Sequence, residues 1–98
     1  MQEKVKQLVE QYELTASPES RYIDLVMQVG ELGKAILHAT DYGYRPFQPS
    51  EEMKREAGNC LFSFLALLND YGMDETELLD EVIQGYDNRM KQFLEEQE

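Results

Sequence analysis

Two rows of polar side chains interrupt otherwise apolar stretches of this sequence, and both are rich in oxygen donors. Asp24, Gln28, Glu31 and His38 fall at i, i+4, i+7 and i+14, while Glu52, Glu56, Asn59 and Ser63 fall at i, i+4, i+7 and i+11. On a helix, each row follows one slowly drifting line. Two such helices facing each other would gather several carboxyl and amide groups, and gathered carboxylates repel unless a cation sits among them. Hard oxygen donors suit Mg²⁺ or Mn²⁺ rather than zinc. Gly30, Gly33 and Gly58 lie beside the rows, where small residues would let the two helices approach closely. Spacing alone leaves another reading open, in which both rows are solvated faces and Glu31 pairs with Lys34 one turn on.

The elements that would carry these rows are helices. No sustained period-2 alternation and no Asn-Gly hairpin signal is present. Val5, Leu8, Val9 and Tyr12 mark the apolar face of a first helix over about 2–14. "TASPES" breaks it, and Ser17 with Pro18 caps and opens a second helix that runs to about 40. "DYGYRPFQPS" is a loop by composition, and Ser50 caps a third helix ending near Tyr71, with Gly72 just beyond it. In "DETE", Asp74 and Glu77 form an acidic capping box for a fourth helix reaching the mid-90s. Its apolar face holds Leu79, Val82, Ile83, Tyr86, Met90 and Phe93. The pattern predicts a single all-α domain over 1–98, an antiparallel four-helix bundle. The third helix is apolar almost all round from Leu61 to Leu68, more than three short helices can cover. A homodimer or homotetramer is therefore expected.

Bulk properties narrow the function. Apolar residues make up 42% and charged residues 30% of the 98, a balance that fits a folded globular chain rather than disorder. "CLFSFLALL" is about half the ~20 residues of a membrane span, and no secretory signal opens the chain, so a soluble cytoplasmic protein is expected. The net charge of −11 argues against nucleic acid as a partner, because such binding relies on cationic neutralisation of phosphates. A polyphosphate ligand would need local cations or a metal ion. The lone Cys60 excludes an internal disulfide and reads as a buried structural thiol. His38 has no Cys or second His at ligand spacing, which argues against zinc. The aromatic loop "DYGYRPFQ" packs on protein or covers a base.

At "VGELGKAI" and "REAGNCLFSFLALLNDYGMD" the chain resembles the MazG-like nucleoside triphosphate pyrophosphohydrolases, all-α enzymes related to dimeric dUTPases and phosphoribosyl-ATP pyrophosphohydrolase. The resemblance covers roughly residues 20–90, and "GMDETELLDEV" fits the family's turn into its last helix. It implies Mg²⁺-dependent cleavage of a (d)NTP to (d)NMP and pyrophosphate. The last acid of the family's Glu-Glu-x-x-Glu motif matches Glu31, and the first of its Glu-x-x-Asp motif matches Glu56. The opening glutamates of the first motif fall on Met27 and Gln28, and the closing aspartate falls on Asn59. The implied metal ligands are thus Glu31, Glu56, Gln28 and Asn59, with Glu31 and Glu56 as the catalytic acids. Two amides stand where the family has carboxylates, which weakens the pull on a divalent ion and removes two possible bases. Asp24 and Glu52, one turn earlier on each row, are the acids placed to compensate. Within "YDNRMK", Asn88 and Arg89 resemble the family's phosphate-facing groups, and Lys34 is a further cation that could meet a phosphate. The rival expectation is a catalytically degenerate member of the same fold, acting as a nucleotide-binding or protein-interaction module.

Overall fold

Each long helix begins on a side-chain cap. Ser17, Ser50 and Asp74 hold extended backbone and accept hydrogen bonds from the amides of Ser20, Met53 and Glu77, respectively. In the computed structural model, which describes residues 1–97, these caps open three of four α-helices: α1 (Gln2–Gln11), α2 (Pro18–Ala39), α3 (Glu51–Asp70) and α4 (Glu75–Glu96). No strand occurs among the described residues, so the chain is all-α. The helix ends follow the sequence reading closely, except that α1 stops at Gln11 rather than Leu14. Glu13 turns into the left-handed region at φ 54°, and the Leu14 amide bonds back to the Val9 carbonyl at 2.9 Å, closing the helix early. Gly72, at φ 67°, supplies the left-handed residue that ends α3, as its position in the sequence predicts.

α3 is the central element. α2 packs along it antiparallel, and α1 covers a second side. Val5 of α1 meets Leu65, Ala66 and Leu68 in the core, with Val9 and Phe62 against its edge. Ala35 is fully buried on α2. Two polar clamps hold α1 and the start of α2 to the α3–α4 corner. The Gln2 amide donates to Asn69 and to the Met73 carbonyl and accepts from the Glu75 amide, and Arg21 pairs with Asp70 at 2.9 Å while donating to the Leu14 carbonyl. The rest of α3 stays uncovered: Leu61 and Phe64 are exposed.

α4 leaves this three-helix layer. None of its residues is buried, and Leu79, Val82, Ile83, Tyr86, Met90 and Phe93 are all exposed. The radius of gyration is 17.8 Å, against about 13 Å for a compact chain of this length. No helix among the described residues is long and apolar enough to cross a membrane.

Candidate functional site in the α2–α3 seam

Two polar bridges fix how α2 and α3 face each other. Near one end, the buried Ser63 hydroxyl donates to Asp24 Oδ2 at 2.7 Å. Near the other, His38 Nδ1 lies 3.1 Å from Glu52 Oε1; since a carboxylate only accepts, this nitrogen carries the proton. The His38 ring also meets Tyr42 edge-on at a centroid distance of 5.8 Å.

The register between the bridges locates the remaining polar residues. Glu31 lies midway between Asp24 and His38 on α2, and the midpoint between Ser63 and Glu52 on α3 is the Ala57–Gly58 step. Glu31 is therefore level with the turn that bears Glu56 and Asn59. The seven-residue steps from Asp24 to Glu31 to His38 drift by only about 20° each, so Glu31 shares the side of α2 that both bridges use. Gln28 is one turn earlier. Glu31 and Asn59 sit on the exposed flank of the seam, while Gln28 and Glu56 are half-buried. The expected rows thus lie on facing sides of α2 and α3, and the side-chain bonds that join them are Asp24–Ser63 and His38–Glu52.

Along the seam the two amides turn toward carboxylates. Gln28 Nε2 donates to Asp24 Oδ1 at 3.5 Å, and Asn59 Nδ2 donates to Glu56 Oε2 at 3.3 Å. Each N–H group puts partial positive charge beside a carboxylate of its own row. Asp24 and Glu52, the acids placed to compensate for the lost ligands, are already held by Ser63 and His38. Among the described residues no three His, Cys, Asp or Glu side chains come close enough together to hold a metal ion. The four implied ligands suit Mg²⁺ in kind, since an amide rotated by half a turn presents its oxygen, but they carry two charges rather than four.

Other expected site residues lie elsewhere. Lys34 is exposed, one turn beyond Glu31. Asn88 accepts from Gln84 at 2.9 Å, and the Arg89 guanidinium stacks 4.6 Å from the Tyr86 ring centroid. Both belong to α4, and these contacts stay within α4, so within one chain they do not join the seam.

The glycines require a correction. They do not let α2 and α3 approach each other: a Cβ placed at Gly30, Gly33 or Gly58 would meet nothing within 4 Å. Gly30 and Gly33 lie on the side of α2 opposite the buried Ala35, because the helical period puts them more than about 120° away from it. The sequence reading missed the cross-helix partners of Asp24 and His38. Ser63 stood on the correct row, and its spacing from Glu52 was the available signal. Compared with known family models, curated proteins and solved structures, the chain matches none.

Proposed function

We propose that the α2–α3 seam is a nucleoside triphosphate site of the MazG-like pyrophosphohydrolase kind in weakened form, cleaving a (d)NTP to (d)NMP and pyrophosphate with Mg²⁺. The observation that supports this reading is the register, which sets Glu31 level with the α3 turn that bears Glu56 and Asn59, with Gln28 one turn earlier on the same side of α2. Glu31 and Glu56 would hold the cation, with the amide oxygens of Gln28 and Asn59 as weaker ligands. Bound there, Mg²⁺ (or Mn²⁺) would neutralise triphosphate oxygens and make a water more acidic. It would also offset the repulsion between an anionic ligand and a chain of net charge −11. Glu31, on the exposed flank, is the carboxylate placed to accept a proton from that water. Lys34, one turn away, is the nearest cation on the same helix for an outer phosphate.

A second reading has a specific observation in its favour. The Gln28 and Asn59 amides each donate a hydrogen bond to a carboxylate of the rows, Asp24 and Glu56, without a cation, as expected for a degenerate member that keeps the fold and has lost turnover. Pyrophosphate release from a panel of NTPs and dNTPs, with Mg²⁺ and with Mn²⁺, separates the two. The enzyme reading predicts release that Glu31→Ala and Glu56→Ala each abolish. Its absence with every substrate and both metals would leave the degenerate reading.

A further inference from the structure

Two apolar stripes in this chain stay largely exposed within it, and they match each other. On α2, Ile23, Val26, Gly30, Gly33 and Leu37 fall at i, i+3, i+7, i+10 and i+14, on the side turned away from α3. On α4, Leu79, Val82, Tyr86, Met90 and Phe93 span the same fourteen-residue interval. Each stripe is about 21 Å long at 1.5 Å per residue, and each repeats close to the 3.5-residue period of paired helices. Their centres are complementary. Gly30 is the midpoint of the α2 stripe, beside Gly33, and forms a depression in which an added Cβ would meet nothing. Tyr86, large and exposed, is the midpoint of the α4 stripe. Whichever way the helices run, aligning the ends puts Tyr86 over the glycines.

The area supports this pairing. The chain exposes 7727 Å², while a compact monomer of its mass exposes about 5,800 Å². The excess, about 1,900 Å² per chain, is more than twice the ~800 Å² that each partner of a standard stable interface buries. Most of a protein helix's stability comes from packing its amphipathic face, and none of the residues of α4 is buried, so α4 needs a surface to pack on. The wall opposite is available too: α3 and α4 diverge around an open apolar groove of 530 Å³ that includes Leu61, Phe64, Leu79 and Val82. Neither stripe carries a charged residue, which suits two chains that are both strongly acidic.

We propose that the partner is a second copy of this chain. α4 of each copy packs on the outer face of α2 of the other, with Tyr86 seated against Gly30 and Gly33 in a two-fold dimer. This explains why a long helix tolerates two glycines three residues apart, and it does not depend on the nucleotide reading of the seam.

The test uses full-length chains in which Cys60 is replaced by Ser. A Gly30→Cys chain and a Tyr86→Cys chain are mixed, oxidised mildly and analysed by mass, alongside each chain oxidised alone. The proposal predicts a 30–86 cross-linked heterodimer and little self-linked Gly30→Cys. Sedimentation supplies the second measurement. Gly30→Leu improves helix propensity and meets no clash within one chain, yet it should weaken dimerisation at least tenfold by filling the depression. The proposal is overturned by a monomer at 100 μM, by Gly30→Cys linking to itself in preference to Tyr86→Cys, or by unchanged association of Gly30→Leu.

Discussion

Restoring the two missing acids should make the protein less stable without metal and more responsive to it. In Gln28→Glu with Asn59→Asp, each exchange removes an amide donor, at 3.5 Å from Asp24 and 3.3 Å from Glu56, and puts a like charge in its place. A like-charge pair one helical turn apart costs up to about 0.5 kcal/mol, and a lost hydrogen bond about 0.5 kcal/mol more in this partly exposed setting. The double variant should therefore lose about 2 kcal/mol, which for a domain of this size lowers Tm by roughly 8–16 °C. Four carboxylates within about one turn of each other along the seam should then bind Mg²⁺. At a concentration one hundred times its Kd, the ion returns about 2.7 kcal/mol and so restores the parent Tm. Thermal unfolding followed by circular dichroism, with and without 10 mM MgCl₂ (roughly that hundredfold excess for a Kd of ~0.1 mM), reads both effects. A double variant that gains no more from Mg²⁺ than the parent would refute the assignment of positions 28 and 59 to a common site with Glu31 and Glu56.

Other perturbations probe the frame around that site. Ser63→Ala removes a buried hydroxyl that donates to a carboxylate at 2.7 Å and should cost about 1–3 kcal/mol in denaturant unfolding. Asp74→Ala removes the α4 cap and should cost about 1 kcal/mol, together with a measurable loss of helical signal. His38→Ala breaks an exposed pair and an edge-on contact with the exposed Tyr42, so its stability should stay within about 1 kcal/mol of the parent by the same measurement. Dimerisation measured by sedimentation should tighten between 50 and 500 mM NaCl, because salt screens the repulsion of two acidic chains while leaving an uncharged interface intact.

The helices and their caps were legible because their causes are local. Ser17, Ser50 and Asp74 act on amides three residues away, and the apolar period of each helix is written in a few turns. The end of α1 was not legible, since it rests on a left-handed Glu13, a conformation that this residue type does not announce. The two polar rows were visible as rows, but their meeting depends on Asp24 reaching Ser63 and His38 reaching Glu52 across the loop. Those pairs are long-range and leave no periodic trace. The role of the glycines was misread for the same reason. Their position beside Glu31 in sequence suggested closeness to α3, whereas the 3.6-residue turn carries Gly30 and Gly33 to the opposite face. The fate of α4 was hidden as well, because an apolar stripe states that something must cover it and not which chain supplies the cover.

The claim on which the functional account rests is that Glu31 and Glu56 share one cation-accessible edge between α2 and α3. Titrating Mn²⁺ into ¹⁵N-labelled protein tests it directly, since the paramagnetic ion broadens nearby amide signals. The account predicts that broadening begins together at residues 28–31 and 56–59, and that Glu56→Ala removes it from both segments. Broadening that starts elsewhere, for instance at the acidic turn 74–77, or that reaches only one of the two segments, would contradict it.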